Sequence, residues 1–183
     1  DTIVVADVGQ NQMWTAQYYR FKRPDTFLTS GGLGTMGYAL PAGIGAKIGH
    51  PNREVLVIAG DGGFQMNIQE LFTITQYGLK IKILILDNGS LGMVRQWQQL
   101  FFQGRYAGTI LDNNPSFEKL AAAVGIRAAT LKSGDGCESG IRMLWESSEA
   151  MLIHAHVSPE ELVLPMVPAG GQIDQPISML KGD

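Results

Sequence analysis

The chain has 183 residues, 45% hydrophobic and 17% charged, a formal net charge of −3 and one cysteine. That length suits one sizeable α/β domain and not two. The acidic balance without Lys/Arg clusters argues against nucleic acid, the single Cys137 excludes an internal disulfide framework or a cysteine zinc cluster, and no apolar run approaches the ~20 residues of a membrane helix.

In chain order, Ile3 to Val8 reads as a buried strand ending in Asp7-Val8-Gly9-Gln10-Asn11, followed by a helix over Gln12 to Tyr19 and a short extended piece from Thr26 to Thr29. Ser30 to Gly37 is a glycine-rich loop, and Tyr38 to Ile48 is a helix closed by Gly49-His50-Pro51. Val55 to Ala59 is a strand running into Gly60-Asp61-Gly62-Gly63; a helix over roughly Asn67 to Tyr77 and a turn at Gly78 lead to a second strand, Ile81 to Leu86, which runs into Asp87-Asn88. Met93, Val94, Trp97 and Phe101 recur at helical spacing and predict a helix over Leu91 to Phe102. Ser116 to Val124 is a helix capped by Ser116 or Asn114 and stopped by Gly125. Arg127 to Leu131 is a strand, Asp135 to Glu149 a helix weakened by Gly136 and Gly140, and Ala150 to Val157 a last apolar strand. Residues 1–158 are expected to form one domain and 159–183, with four of the eight prolines, an irregular tail. Strands alternating with helices predict an α/β fold, three layers with a mostly parallel central sheet. The chain opens at Asp1 directly before a strand, with no leader, so a fragment of a longer chain and a cytoplasmic location are expected.

The segment from Gly60 to Asn88 carries the chemistry. A parallel crossover needs a dozen or more residues, and its regular hand puts both strand ends on one edge of the sheet, where open α/β sheets bind ligands. Asp61 and Asn88 therefore converge and offer a carboxylate and a neutral carbonyl oxygen. Mg²⁺ takes one or two such protein oxygens and completes its octahedron with water and phosphate. The glycines let backbone approach a ligand, and the helix over Asn67 to Tyr77 is expected to aim its free N–H groups at the same anion. A diphosphate bridged by Mg²⁺ suits all of these features.

Other residues carry blander alternatives. Met36 in its glycine loop fills the core or a ligand site. Met93 and Trp97 on one helix face are core or pocket. His154 and His156 share a strand face, but no third ligand is evident for a metal. His50 sits in a surface turn, and Cys137 has no nearby basic partner and is read as inert.

Gly60-Asp61-Gly62 with Asn88 at this spacing resembles the thiamine-diphosphate motif, in which Gly-Asp-Gly is followed by Asn-Asn; Asp87 stands in place of the first Asn. Ser30-Gly31-Gly32-Leu33-Gly34-Thr35-Met36-Gly37-Tyr38, Leu91-Gly92-Met93-Val94-Arg95-Gln96-Trp97 and Pro165-Met166-Val167-Pro168 are similar to catalytic subunits of the acetohydroxyacid synthase (acetolactate synthase) family. The resemblance covers residues 1 to 131 and thins until Pro165. It implies the C-terminal, diphosphate-binding domain of a chain about three times longer. It implies Mg²⁺ on Asp61, Asn88 and the Ser90 carbonyl, and the diphosphate on Gly9, Gln10, Asn11, Gly62, Gly63 and the backbone of Leu91, Gly92 and Met93. Asn11 stands where the family often has His. Catalytic contacts fall to Gly34 and Met36: the Gly34 carbonyl and Met36 N–H take the aminopyrimidine, and the Met36 side chain imposes the cofactor's bend, which brings the 4′-amino group to the reacting carbon as a base. Met93 and Trp97 would line the substrate pocket.

The family's activating glutamate lies in the N-terminal domain of a partner chain and FAD mostly in the middle domain, so both fall outside these residues. The implied partners are the remaining N-terminal and FAD domains of the same polypeptide, a homodimer or tetramer, a small regulatory subunit and small 2-oxo acid substrates. The implied activity is decarboxylation of pyruvate and condensation with a second 2-oxo acid, pyruvate or 2-oxobutanoate, in branched-chain amino-acid biosynthesis. A pyruvate oxidase or 2-oxo acid decarboxylase of the same superfamily is the alternative, and the isolated fragment is expected to bind without turnover.

Overall fold

The computed structural model describes residues 1–132 and 136–178. Strand β1 (Ile3–Ala6) leads into α1 (Gln10–Tyr18), then a 3-10 turn and β2 (Phe27–Thr29). Helix α2 (Ala39–Gly49) precedes β3 (Val55–Gly60), which passes straight into the short α3 (Asp61–Gln65). A 3-10 turn, Ile68–Glu70, and α4 (Leu71–Gln76) connect to β4 (Lys82–Asp87). Next come α5 (Gly92–Phe101), α6 (Phe117–Ala123), β5 (Arg127–Leu131), α7 (Cys137–Glu146) and β6 (Met151–His156). Asp135, the predicted start of the last helix, lies outside the described residues.

All six strands are parallel, in the order β2-β1-β3-β4-β6-β5. Side chains alternate between two cores. Val5, Val57, Ile83 and Ile85 meet Leu40 and Ile44 of α2, Ile74 of α4 and Phe117 of α6. Val4, Ile58, Met151 and Ile153 meet Leu144 of α7 and the aromatics after α1. Helices thus cover both faces, which explains why the strands are nearly continuous apolar runs. Helix α2 seats closely because Gly43 has no side chain: a Cβ there would lie 2.4 Å from Val57 Cγ2.

The chain leaves β1 for β2 on one side and returns to β3 on the other. The switch point between β1 and β3 opens a crevice at their carboxyl ends, the place where α/β sheets bind ligands. Asp7 to Asn11 and Gly60 to Gly63 leave the sheet there.

The predicted helix over Asn67 to Tyr77 divides at its start into a 3-10 turn and the short α4. The helix that begins at the crevice is instead α3, opened by Asp61 itself. Gly62 and Gly63 are poor helix formers, which hid α3 in the sequence; Asn67 breaks the run because its backbone leaves the helical region and its Nδ2 donates to the Gly37 carbonyl at 2.7 Å.

The described part of the tail, from Val157, forms no helix or strand, and its isolated bridge joins Met166 to Ile177. It is not loose, since Val163 and Met166 are buried. Residues 179–183 lie outside the described residues. No described helix is long and apolar enough to cross a membrane.

Candidate functional site

Four separated segments meet at the switch point. They enclose a cavity of about 220 Å³ lined by Gly9, Gln10 and Asn11 after β1, Gly34 and Met36 of the glycine loop, Asp61, Gly62 and Gly63 of α3, and Asn88 with Ser90 to Met93 after β4. Every residue singled out from the sequence for a cofactor or a cation lies on this one cavity. Trp97 lines the neighbouring, larger cavity of about 630 Å³ with Met93, Val94, Gln98, Phe102 and Arg105. Met93 and Val94 line both, so the two spaces adjoin through the first turn of α5. Met93 and Trp97 therefore face open space rather than core.

The loop carrying Met36 is held from below by Asp7, which is 1% exposed. Its Oδ1 accepts from the N–H groups of Gly37 at 3.0 Å and Val8 at 2.9 Å, and its Oδ2 from Ala39 N–H at 2.8 Å. One carboxylate thus fixes the turn after Met36 and satisfies the first N–H of α2. Gly37 makes the turn at φ 84°, a conformation that favours glycine. Gly62 is needed for closeness: a Cβ there would lie 2.7 Å from Leu91 Cδ2 and 3.7 Å from Met36 Cε.

The polar lining suits a hard cation beside an anion. Asp61 supplies a carboxylate, and Asn88 and Ser90 supply neutral oxygens, on the same wall. The first-turn N–H groups of α5, from Gly92 onward, have no acceptor within the helix and lie on that cavity. Asn11 is committed elsewhere: its Nδ2 donates to the Asp7 and Ile58 carbonyls at 2.9 and 3.2 Å, pinning the ends of β1 and β3 together. Gln10 spends both amide hydrogens on the Gln96 Oε1 and the Glu161 carbonyl. Its backbone, not its side-chain N–H, remains available to an anion.

Asn114 is a site residue that the sequence reading assigned only to a helix cap. Ser116 makes that cap, its Oγ accepting from Lys119 N–H at 3.3 Å. Asn114 instead donates through Nδ2 to Asp61 Oδ2 at 2.6 Å and Asp87 Oδ1 at 3.0 Å, clamping the two carboxylates together. Burial pushes the Asp61 carboxyl up, and the neighbouring Asp87 charge adds to the effect, against the Asn114 hydrogen bond. A bound cation would relieve that cost.

Behind Asp87 lies a second layer. His154 Nε2 is 2.7 Å from Asp87 Oδ2, and its Nδ1 is 3.0 Å from Glu118 Oε1. His156 Nδ1 stands 3.8 Å from the same Asp87 oxygen. The three side chains Asp87, His154 and His156 are close enough together to suggest a metal, but both His154 nitrogens are already turned to carboxylates. The cluster holds the His154 ring between two carboxylates, an arrangement that favours its protonated form. Burial alone would lower the His154 pKa, but hydrogen bonds to Asp87 and Glu118 outweigh it and raise it. Burial likewise opposes, and the His154 hydrogen bond among others outweighs, so Asp87 and Glu118 both lie below the usual carboxylate range.

A pH dependence follows. The raised His154 contributes stability fully below about pH 6.5, its unfolded value, and loses it as pH rises through the folded value. The two lowered carboxylates contribute above about pH 4.5 and lose it as pH falls through their folded values. His154→Gln should therefore cost most, about 3 kcal/mol, between roughly pH 4.5 and 6.5, and less above the raised histidine value. Urea unfolding of both proteins at pH 6 and pH 9 measures this; an equal cost at the two pH values would contradict the ion cluster.

Asp7, Gln96 and Asn114 are the supporting residues that sequence reasoning did not select. Asp7 was within reach, since it lies at the carboxyl end of a strand on the edge that carries the site. Gln96 and Asn114 act through contacts across long sequence separations, which no spacing announces.

Comparison with known proteins agrees with this geometry. Residues 7–155 match the family described as thiamine pyrophosphate enzyme, C-terminal TPP binding domain. The chain is similar to the acetolactate synthase large subunit of Lactococcus lactis, 47% identical over 98% of this chain and 31% of the relative. It is also similar to the acetolactate synthase isozyme 2 large subunit of Escherichia coli, 47% identical over 98% of this chain and 33% of the relative. A probable acetolactate synthase large subunit of Methanocaldococcus jannaschii is 46% identical over 94% of this chain and 29% of its own length. The chain spans about a third of the length of these curated relatives.

Proposed function

Because this chain belongs to the thiamine pyrophosphate enzymes, as their C-terminal TPP-binding domain, we propose that it is the diphosphate-binding part of an acetolactate synthase large subunit. The observation that carries the site is the single cavity on which Asp61, Asn88 and the first turn of α5 meet; the identities near 47% to acetolactate synthase subunits support the reaction. In this reading Asp61, Asn88 and the Ser90 carbonyl hold Mg²⁺, while the backbone N–H groups of Gly62, Gly63, Gly92 and Met93 hold the diphosphate; that of Leu91, which the sequence also offers, is given to the Thr109 carbonyl at 2.8 Å. Oxygen donors with one carboxylate fit Mg²⁺, which keeps several of its ligands from water and phosphate.

Bound thiamine diphosphate supplies the carbon that adds to a 2-oxo acid and takes up the electrons left by loss of CO₂. The chain's own residues orient it. The Gly34 carbonyl and Met36 N–H would hold its pyrimidine, and the Met36 side chain, which lines the same cavity, would select its bent form. Met93 and Trp97, at the junction with the larger cavity, contact the second substrate and sort 2-oxo acids by size.

The proposed reaction decarboxylates pyruvate and joins the remaining two carbons to pyruvate or 2-oxobutanoate, a step towards branched-chain amino acids. The wider proposal includes FAD, an activating glutamate from a partner chain, a homodimer or tetramer and a small regulatory subunit, all in the cytoplasm. Full-length protein given pyruvate, Mg²⁺ and thiamine diphosphate is expected to yield acetolactate. Acetaldehyde or acetate without acetolactate would overturn the reaction in favour of a decarboxylase or oxidase.

A further inference from the structure

The tail reaches the proposed metal site through buried amides. Val163, with its side chain fully buried, pairs its backbone with one glutamine side chain: Val163 N–H donates to Gln96 Oε1 at 2.9 Å, and Gln96 Nε2 donates to the Val163 carbonyl at 3.1 Å. Gln96 Oε1 also accepts from Gln10 Nε2 at 2.8 Å. The second Gln10 hydrogen goes to the Glu161 carbonyl at 3.0 Å. Gln10 Oε1 in turn accepts from Asn88 Nδ2 at 2.8 Å. Asn88 Oδ1 is left on the side of Ser90, accepting from its N–H and its hydroxyl, both at 3.1 Å. Gly92 leaves room for this meeting, since a Cβ there would lie 2.2 Å from Gln10 Oε1 and 2.4 Å from Asn88 Nδ2.

An amide side chain can turn end for end at little cost; a backbone peptide cannot. The Val163 N–H demands an oxygen and its carbonyl demands an N–H, so Gln96 has one allowed orientation. The oxygen that Gln96 then presents, together with the Glu161 carbonyl, demands the nitrogen of Gln10. Gln10 therefore shows its oxygen to Asn88, and Asn88 must answer with nitrogen. Gln96 and Gln10 are 2% and 4% exposed, so water cannot stand in for a mismatched partner. Arg95 anchors the stretch of tail that starts the series, through the Pro159 carbonyl and the Glu160 carboxylate.

We propose that the Glu161–Val163 tail backbone, acting through Gln96 and Gln10 as positioning residues and together with the Ser90 N–H at the other end of the amide, sets Asn88 so that its oxygen, and not its nitrogen, is offered to the cation. This rests on the reading of Asn88 as a Mg²⁺ ligand. Nothing in the composition of the tail distinguishes it from a surface strap; the polarity of the three side-chain amides does.

The test is the Mg²⁺ concentration that half-saturates thiamine diphosphate binding to the full-length protein, followed by calorimetry and needing no turnover. Gln96→Met keeps the volume and removes the polarity, and it is expected to raise that concentration about 10- to 100-fold, as loss of groups that orient metal ligands does. Adding Asn88→Asp should recover most of the loss, because a carboxylate has oxygen at both ends and Gln10, then held by the Glu161 carbonyl alone, can turn its N–H towards it. Asn88→Asp alone should bind worse than the double variant, its carboxylate facing the locked Gln10 oxygen. Gln10→Met, which breaks the series one step nearer Asn88, should raise the half-saturating concentration by a similar factor of about 10 to 100, and it decides the matter if Gln96→Met does not fold. A half-saturation unchanged by Gln96→Met, or by Gln10→Met, or a loss not recovered by Asn88→Asp would each overturn the proposal. Asp61→Ala in parallel separates the readings: if it weakens binding and Gln96→Met does not, the cation site stands and the amide series falls; if neither does, both fall.

Discussion

Asp61→Ala is expected to weaken Mg²⁺-dependent binding of thiamine diphosphate by more than about 100-fold, beyond the loss typical of outer-shell partners. The same substitution should change the stability of the cofactor-free protein by no more than about 1 kcal/mol. The reason is in the geometry. Asp61 is 1% exposed, burial raises its pKa, and a second carboxylate, Asp87, stands next to it. A buried charge beside a like charge does not stabilise the fold, and the Asn114 hydrogen bond offsets only part of the cost. Such a residue is kept for what it binds. Titrating Mg²⁺ into the variant at fixed thiamine diphosphate, with urea unfolding of the metal-free protein alongside, measures both halves. Retained binding would remove Asp61 from the metal; a large loss of metal-free stability would make it a structural residue.

Asp7→Ala should show the opposite pattern. Its carboxylate accepts from the buried N–H groups of Gly37 and Ala39 and from Val8. Alanine leaves those donors without a partner at about 1–3 kcal/mol each, roughly 3–5 kcal/mol together, a large share of the ~5–15 kcal/mol of a typical domain. Gly63 is packed against the same group, a Cβ there falling 2.3 Å from Asp7 Oδ1. Binding should fall as well, because the loop carrying Gly34 and Met36 loses its anchor. Asp7→Asn keeps one oxygen and should recover part of the stability. Urea midpoints of the three proteins decide it; an alanine variant within about 1 kcal/mol of the parent would show that the loop is held by something else.

Much of this was legible in the sequence because strands buried on both faces read as apolar runs, and because loops at their carboxyl ends concentrate glycine and polar residues. Val55 to Ala59 and Ile81 to Leu86 announced adjacent strands, and the glycines after them announced the crevice. The short α3 was not legible: two glycines in five residues carry no helical signal, and the helix forms because it continues β3 beneath the cavity. Asn114 offered a plausible local role as a cap, and the structure gives it a distant one between two carboxylates. The histidines of β6 read as a face without a third ligand; Glu118, brought in by α6, joins Asp87 on the two ring nitrogens of His154. The tail read as irregular, and it has no regular elements where described, yet Val163 is buried against α5 by side-chain hydrogen bonds that no periodicity encodes.

In the proposed function, one cavity at the β1–β3 switch point holds a diphosphate through a divalent cation. Calorimetric titration of the protein with thiamine diphosphate, with Mg²⁺ present and then with the metal chelated, tests it most directly. Binding that requires Mg²⁺ is the predicted result; equal affinity with and without the metal would contradict it.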